Sequence, residues 1–322
     1  MRSKTATNQR LVYLGTPEVA VGPLRALVEA GFDIGLVVTG ADKRRGRGGA
    51  ETPTPVKAAA IELGLPVTHD PSEILTVADA ASFDVGVVVA FGQILGSALV
   101  GRLPFLNLHF SLLPRWRGAA PVERAILSGD ATTGVCVMGI EEGLDTGPIY
   151  ARAETDVADK TLAELWTELA ATGSDLLIDV LRSGSPGAAA GGSVVGTALG
   201  APRPQGGAPT SAAKVTKSER HLDPTRDGAE MLVRRVRIDG AWTEFRGRRL
   251  GVLRARALAA GADAADSSEA TGVPGGFRGG TRFVTVAGDE LELLEVQPEG
   301  RAPMAAEVWA NGVLLTDVDR IG

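Results

Sequence analysis

The chain has 322 residues, which is long enough for two domains that each bury a core of their own. Apolar residues make up 44% of it and charged residues 22%, as in soluble globular proteins, and no apolar run approaches the roughly 18 residues that cross a bilayer. Neither a membrane span nor a secretory signal is predicted, and we expect a cytoplasmic protein. The single cysteine excludes an internal disulfide and a zinc site built from several cysteines.

The net charge of −6 excludes a nucleic-acid binder that is basic throughout, but the charge is distributed unevenly. Residues 203–256 hold 13 Lys and Arg against 6 Asp and Glu, a local balance of +7. The basic charge is therefore concentrated in one stretch of an otherwise acidic chain, and a nucleic-acid partner for that stretch is not excluded.

Short β-rich apolar runs alternate with helical segments in the first half of the chain. The runs 11–14, 34–38 and 84–90 predict strands, the segments 18–30 and 55–63 predict helices, and 161–181 predicts a long closing helix. This alternation is the pattern of an α/β domain with a parallel sheet.

A further strand is predicted over 105–110, and it carries polar residues. Because side chains alternate along a strand, Asn107 and His109 project from one face while the apolar residues of the run share the other. Two polar side chains are thus expected to point together into the same space.

The second half of the chain differs in composition from the first. Residues 186–209 are rich in Gly, Ala, Pro and Ser, which predicts a linker between a first domain at 1–185 and a second at 210–322. A helix near 226–236 and strands at 250–253, 282–286 and 290–296 predict a small β-rich domain after the linker.

Three motifs follow one another around the polar strand. Asn107-x-His109 leads into Ser111-Leu-Leu-Pro114 and Arg115-Trp-Arg-Gly-Ala-Ala-Pro121, and Gly143-Leu-Asp-Thr-Gly147 comes later. This combination resembles the folate-dependent formyltransferases, most closely the members that act on methionyl-tRNA. The resemblance implies a Rossmann-like parallel sheet in the N-terminal formyltransferase domain and a smaller C-terminal β-rich, OB-like barrel.

The residue types suit formyl transfer, in which a tetrahedral intermediate with a developing oxyanion forms. Asn107 offers a carboxamide donor to that charge, and a preorganised donor is worth roughly 10²–10³ in rate. His109 can stabilise the oxyanion or move a proton between the two nitrogens. Asp145 can orient the imidazole, favour its protonated form or accept a proton from the amine. The sequence leaves open which of His109 and Asp145 moves the proton.

Each of these residues also has a purely structural interpretation. A lone Asn and His on a strand face are more often hydrogen-bonded core or rim groups, and an isolated Asp-Thr-Gly turn is usually structural. An aspartic protease would need two such carboxylates, and only Asp145 occurs in this setting. The spacing to the Ser-Leu-Leu-Pro and Arg-Trp-Arg segments favours the catalytic interpretation of Asn107, His109 and Asp145.

The resemblance implies that 10-formyltetrahydrofolate is the formyl donor and that loops after two strands bind its pterin. The implied folate-binding residues are Val89, Ala90, Phe91, Gly92, Gln93, Ser111, Leu112, Leu113 and Pro114. Backbone groups in such loops pair with the ring edge while apolar side chains cover its faces. No metal is predicted, and His69 and His221 are expected to be ordinary surface histidines.

The resemblance also implies a tRNA partner. In this family a basic loop, here Lys43-Arg-Arg-Gly-Arg-Gly-Gly49, enters the tRNA acceptor stem, so Lys43, Arg44, Arg45 and Arg47 are expected to contact RNA. The segment Ala213-Lys-Val-Thr-Lys-Ser-Glu219 matches a family element in the second domain and adds Lys214 and Lys217. On charge alone, a solvated turn is the alternative for the loop.

Taken together, the resemblance implies formyl transfer to the α-amino group of initiator methionyl-tRNA, by a monomer, for translation initiation. Two enzymatic alternatives remain: a related formyltransferase acting on a small amine or amino sugar, and a formyltetrahydrofolate hydrolase. An alternative of another class is a non-catalytic RNA-binding protein that has kept the scaffold. How initiator tRNA is distinguished from elongator tRNA is not encoded in these motifs.

Overall fold

The computed structural model describes residues 9–44, 51–76, 83–183, 202–258 and 272–322. They cluster into two compact units. The N-terminal unit comprises the described residues within Met1–Val122, Thr132–Asp156 and Ala163–Ala213, and the C-terminal unit comprises those within Glu123–Ala131, Val157–Leu162 and Lys214–Gly322. Of the predicted linker, residues 186–201 lie outside the described residues and 202–209 belong to the N-terminal unit, while the predicted domain bounds stay a prediction.

The described helices and strands follow in chain order. The helices are α1 (Val21–Glu29), α2 (Pro55–Glu62), α3 (Glu73–Thr76), α4 (Ser97–Val100), α5 (Pro121–Ser128), α6 (Leu162–Ser183), α7 (Ala229–Arg237) and α8 (Ala306–Val313). The strands are β1 (Arg10–Gly15), β2 (Asp33–Val38), β3 (Lys43–Arg44), β4 (Glu51–Thr52), β5 (Val67–Thr68), β6 (Val85–Val89), β7 (Phe105–His109), β8 (Arg117–Gly118), β9 (Thr132–Gly139), β10 (Ile149–Asp156), β11 (Ser211–Ala212), β12 (Trp242–Phe245), β13 (Arg248–Leu258), β14 (Arg282–Val284), β15 (Glu290–Pro298) and β16 (Met304–Ala305). None of the helices in these ranges is long and apolar enough to cross a membrane.

A seven-stranded sheet organises the N-terminal unit, in the order β10-β9-β7-β6-β1-β2-β5. The strands β7, β6, β1, β2 and β5 are parallel, as predicted from the alternation of strands and helices. The edge strands β9 and β10 run antiparallel and were not predicted. The sheet is thus parallel over most of its width, and β9 pairs with the strand that carries the polar motif.

Close packing between β6 and β7 depends on a glycine. Gly86 of β6 lies opposite Phe105 of β7, and a Cβ on Gly86 would lie less than 3.0 Å from the Phe105 ring. The aromatic ring therefore occupies the space above Gly86 and is itself buried. This contact fixes the register in which Val88 pairs with Asn107.

The C-terminal unit is built on a five-stranded antiparallel sheet of β12, β13, β15, β14 and β16. Its core contains Phe245, Phe277, Phe283 and Trp309, and the Phe245 and Trp309 rings meet edge to face at 4.9 Å. Register shifts near Arg254 let β13 bend along β15, because a bulge adds local twist. The predicted β-rich, OB-like second domain is confirmed in its class, since a curled antiparallel sheet forms here.

Candidate active site

The polar face of β7 lies where the parallel strands β6 and β7 end. Asn107 is half-buried and His109 is 5% exposed, so both side chains are largely withdrawn from solvent. In open α/β sheets, ligands bind at this carboxyl edge of the strands. Only Asn107 is less than fully buried in this strand, whereas His109 is buried like its apolar neighbours, so the predicted alternation is not visible in the burial pattern.

Asp145 comes to this face from a loop between β9 and β10. Its Oδ1 atom lies 3.5 Å from Asn107 Nδ2 and 3.7 Å from His109 Nδ1. Its Oδ2 atom accepts a hydrogen bond of 2.8 Å from the backbone N–H of Gly118 in β8. The structure therefore brings the three predicted catalytic side chains together around one carboxylate that is 14% exposed.

The hydrogen bond to Trp116 determines which ring nitrogen of His109 faces Asp145. His109 Nε2 lies 2.9 Å from the Trp116 carbonyl oxygen, and a carbonyl only accepts, so Nε2 carries a hydrogen. Burial lowers the pKa of His109 below its ordinary 6.5, against the smaller raising effects of the Asp145 charge and the Trp116 hydrogen bond. Burial thus favours the neutral ring, in which the hydrogen stays on Nε2 and the Nδ1 atom lies on the side of Asp145.

The loop that carries Asp145 has an unusual backbone. Asp145 has a φ of +52°, a left-handed conformation that Asp tolerates better than most residues. A Cβ on Gly147 would lie less than 3.0 Å from the Gly139 carbonyl oxygen, and one on Gly143 would collide with Thr146. The two glycines of the Gly-Leu-Asp-Thr-Gly motif are thus required by close packing on either side of Asp145.

A residue that sequence reasoning missed holds this loop from outside. The Gln205 side chain donates hydrogen bonds of 2.8 Å to the backbone carbonyls of Asp145 and Gly147. It falls within the predicted linker, where the Gly- and Pro-rich composition concealed it. Its position just before the family element at 213–219 was the only available signal.

The first predicted folate loop begins where β6 ends. Val89 and Phe91 are buried, whereas Gly92 and Gln93 are exposed. Ala90 has a φ of +47° and Gly92 one of +74°, so the chain turns sharply after the strand. The Phe91 carbonyl accepts a hydrogen bond from the Thr16 hydroxyl. The loop is thus tied to the end of β1 while its tip remains open to solvent.

The second predicted folate loop follows β7. Ser111 is fully buried, and its hydroxyl donates 2.6 Å to the Arg115 carbonyl, so this side chain holds the loop together. Leu113 packs with Cys136 and Met138 of β9, and the Leu113–Pro114 peptide bond is cis. Leu112 and Pro114 are half-buried. The two loops therefore offer backbone groups and apolar side chains beside the Asp145 cluster.

Only part of the predicted RNA-binding loop can be placed. The backbones of Lys43 and Arg44 form β3, which pairs with β4, whereas Arg45 and Arg47 lie outside the described residues. The base of the loop is held by an ion pair of 2.5 Å between Lys57 and Asp42. The described base of the loop therefore combines the pairing of β3 and β4 with a half-buried ion pair.

The C-terminal cations occupy an exposed surface. Lys214 and Lys217 are both exposed, and Lys217 lies over the Trp242 ring at 5.7 Å. His69 is exposed as predicted, but His221 is half-buried and stacks on Trp242 at 4.4 Å between ring centroids. The prediction of a surface histidine was wrong for His221, because the folded chain brings the Trp242 ring against it.

Among the described residues, no three His, Cys, Asp or Glu side chains are grouped as metal ligands. Cys136 is buried, and burial raises the pKa of its thiol to about 11, so it is neither a reactive thiolate nor a ligand. The chemistry available at this edge of the sheet is that of an amide, an imidazole and a carboxylate.

The α/β fold and this polar cluster are what the motifs predict for a group-transfer enzyme of the formyltransferase type. Residues 9–181 match the formyl transferase family model, and residues 214–314 match the model of the formyl transferase C-terminal domain. The chain therefore belongs to the formyl transferase family, as its motifs predicted.

Particular relatives narrow the likeness to one branch of the family. The chain is 38% identical to a methionyl-tRNA formyltransferase of Roseobacter denitrificans, an alignment that covers 96% of this chain and 97% of the relative. It is 42% identical to the methionyl-tRNA formyltransferase of Halorhodospira halophila, over 94% of this chain and 96% of the relative. HypX from Aquifex aeolicus in complex with tetrahydrofolic acid shares the fold, with a TM-score of 0.64 and 14% identity over 96% of this chain and 48% of that one.

Proposed function

We propose that this enzyme transfers the formyl group of 10-formyltetrahydrofolate to the α-amino group of initiator methionyl-tRNA, for translation initiation. The observation that carries the proposal is the convergence of Asn107, His109 and Asp145 on one edge of a formyltransferase sheet. The acceptor is supported by near full-length similarity to methionyl-tRNA formyltransferases, at 38% and 42% identity.

Asn107 is the proposed donor to the formyl oxygen. Formyl transfer builds negative charge on that oxygen, and a fixed amide N–H in a site withdrawn from water stabilises it without reorganisation. At 3.5 Å the contact between Asn107 Nδ2 and Asp145 Oδ1 is long, so the amide is aligned by the carboxylate but not committed to it. An N–H of Asn107 thus remains available to the substrate.

His109 is the proposed proton carrier. The attacking amine must lose a proton while the leaving folate nitrogen gains one, and a neutral imidazole can do the first and, once protonated, the second. The bare Nδ1 is the acceptor atom, since Nε2 is held by Trp116. Asp145, whose Oδ1 lies 3.7 Å from Nδ1, stabilises the imidazolium that forms, and the Gly118 N–H holds its carboxylate in place.

The loops after β6 and β7 are the proposed folate site. Bound formylfolate would supply the activated one-carbon group, and its pterin needs hydrogen bonds at the ring edge and apolar cover on its faces. Ile94 is 97% exposed next to the first loop, and Leu144 is 72% exposed next to Asp145. Exposed apolar side chains of this size beside the cluster fit an aromatic co-substrate that would cover them.

The proposed tRNA contacts are the loop residues Lys43, Arg44, Arg45 and Arg47, and Lys214 and Lys217 in the C-terminal unit. Lysine and arginine side chains contact phosphates through charge, and Lys214 and Lys217 are exposed to solvent, where RNA can reach them. We further propose that the enzyme works as a monomer in the cytoplasm, which size-exclusion chromatography and fractionation would test.

The decisive experiment supplies formylfolate labelled in its formyl group together with initiator methionyl-tRNA, elongator methionyl-tRNA or free amino acids and amino sugars. We expect label on the initiator methionyl-tRNA and very little on the others. Label transferred only to small amines would identify the alternative formyltransferase, and release of formate without an acceptor would identify a hydrolase. Binding of tRNA without transfer would contradict enzymatic function altogether.

The His109→Ala variant is the matched control for that experiment. It should bind initiator methionyl-tRNA with unchanged affinity while turnover falls by about 10²-fold or more, as expected when a general acid–base is removed. Near-native turnover in His109→Ala would show that the proposed centre is wrong even if transfer to tRNA occurs.

A further inference from the structure

We propose that Gln205 is a positioning residue for formyl transfer, which holds the Asp145 carboxylate within reach of His109 by clamping the loop that carries it. The inference rests on the proposed catalytic role of Asp145. Gln205 does not touch the polar cluster itself and acts through the backbone on which Asp145 sits.

Both the nitrogen and the oxygen of the Gln205 carboxamide form hydrogen bonds. Its Nε2 donates to the carbonyls of Asp145 and Gly147 at 2.8 Å each, and its Oε1 accepts from Arg117 Nε at 3.0 Å and Nη2 at 2.6 Å. Two donors and two acceptor sites are all that an amide has, so its orientation is determined without ambiguity. A fully satisfied amide of this kind stiffens whatever it connects.

Gln205 connects the Asp145 loop to strand β8. Arg117 precedes Gly118, whose N–H donates to Asp145 Oδ2 at 2.8 Å. Gln205 therefore bonds to two backbone carbonyls of the Asp145 loop. It also bonds to Arg117, the residue before Gly118, whose N–H donates to the Asp145 carboxylate. The Asp145 side chain is held between two elements that the same amide ties together.

The Gln205 hydrogen bonds stabilise a backbone conformation of the Asp145 loop that is unfavourable by itself. Asp145 occupies the left-handed region at φ +52°, where a residue with a Cβ is disfavoured unless its surroundings hold it. Hydrogen bonds to the carbonyls of Asp145 and Gly147 favour this conformation over alternatives that would rotate those carbonyls away. Without them, the loop can relax and carry the carboxylate away from His109.

The segment around Gln205 has other anchors, so removal of the amide is a local change. Arg203 pairs with Ile149 through two backbone hydrogen bonds, and Thr210 accepts one from Trp116 N–H through its hydroxyl and one from Arg117 N–H through its carbonyl. These contacts keep the segment in place beside β8. Loss of the Gln205 amide therefore frees the Asp145 loop more than it frees the segment.

The test uses Gln205→Met, which keeps the length of the side chain without its hydrogen bonds, and Gln205→Glu, which keeps the acceptors for Arg117 but removes the donors. Both should lower kcat by about 10- to 100-fold, since displacement of a catalytic group by about 1 Å can cost 10²-fold. KM for methionyl-tRNA should stay within about twofold. Gln297→Ala, which removes another side-chain amide bonded to a backbone carbonyl, should change neither constant.

A spectroscopic signature separates positioning from a general loss of folding. The chain has three histidines, so the ring signals of His109 can be followed by NMR as a function of pH. Asp145 raises the pKa of His109 against the effect of burial, so a displaced carboxylate should lower that pKa further. Gln205→Met and Asp145→Ala should both move it in this direction, while the signals of His69 and His221 stay unchanged.

The double variant distinguishes failure of this inference from failure of the proposed function. If Gln205 acts through Asp145, Gln205→Met should cost little more once Asp145→Ala is present. Equal losses with and without Asp145, or an unchanged kcat in both Gln205 variants together with an unchanged His109 pKa in Gln205→Met, would overturn the positioning role. Native turnover in Asp145→Ala would instead show that the proposed centre itself is wrong.

Discussion

The two units of this enzyme use charge in opposite ways. In the N-terminal unit the Asp145 carboxylate is 14% exposed and His109 beside it is 5% exposed, and each of the two has a few defined polar partners. The C-terminal unit carries many arginines, and some of its ion pairs reach into solvent, as in Arg246–Asp319, where the arginine side chain is 49% exposed. Buried polar groups interact strongly with a few partners, whereas exposed charges are screened and act collectively.

The same contrast is visible in the pKa values. For His109 the largest influence is burial, which lowers the pKa and favours the neutral ring. For Glu219 in the C-terminal unit the largest influence is its hydrogen bond with Arg124, which lowers the pKa to about 2 and keeps the carboxylate charged. Desolvation thus governs the group proposed for proton transfer, and pairing with arginine governs the groups around the proposed RNA surface. Single substitutions in the Asn107, His109 and Asp145 cluster should accordingly cause a large loss of turnover. Those on the proposed RNA surface should cause only a small loss of tRNA affinity.

The largest effect is expected for Asn107→Asp. The change removes the N–H donor and places a second carboxylate near Asp145, whose Oδ1 lies 3.5 Å from the present amide nitrogen. We expect kcat to fall by about 10²–10³-fold, the usual loss of one oxyanion donor, with tRNA affinity unchanged. Asn311→Asp, at an exposed position of α8, is the matched control and should retain turnover. A loss of less than tenfold in Asn107→Asp would remove Asn107 from the proposed centre.

The next effect concerns packing behind Asp145. Gly147→Ala puts a Cβ against the Gly139 backbone carbonyl, which cannot move without disturbing β9, so we expect a loss of about 1–3 kcal/mol in unfolding free energy and a further drop in kcat. Gly22→Ala in α1 meets no atom within 4 Å and should instead stabilise by about 0.5–1 kcal/mol. Urea unfolding of both variants checks the pair, and equal effects would refute the packing argument.

A smaller effect is expected in the pH dependence of stability. Since the folded pKa of His109 lies below the unfolded value of about 6.5, the unfolded chain binds more protons in that window, and stability falls as pH drops below 6.5 towards the folded pKa. One such group contributes at most about 1.4 kcal/mol per pH unit. His109→Gln should flatten this dependence in urea titrations at pH 7.5 and 5.5, whereas His69→Gln, at an exposed site, should preserve it.

The smallest effect is expected on the charged surface. Lys214→Ala should weaken tRNA binding only a few-fold and reduce the slope of log affinity against log salt by about one, with kcat unchanged. Arg25→Ala is the control, because this cation is bonded to Glu62 in the N-terminal unit and has no predicted role in RNA binding. If Lys214→Ala lowered kcat as much as Asn107→Asp does, the contrast between the two units would be wrong.

Local pattern was sufficient for most of the fold and for the members of the polar cluster. Strand and helix periodicity predicted the parallel strands and the closing helix, and alternation along β7 placed Asn107 and His109 on one face. The antiparallel edge was missed, because the pairing of β9 with β7 and β10 is a contact between distant segments that no local period encodes. Gln205 was missed for a similar reason, because its partners are distant in sequence and the Gly- and Pro-rich composition around it resembles a linker.

The sequence by itself determined the family, the class of each domain and the three polar residues, because these depend on short-range periodicity and on motifs that keep their spacing. Only the tertiary structure decided that burial lowers the pKa of His109, that its Nε2 bonds to the Trp116 carbonyl and that Gln205 bonds to the Asp145 loop. Burial is a property of everything that packs around a group, and the Gln205 bonds join residues 58 to 88 positions apart. Such long-range contacts exist only once the chain has folded.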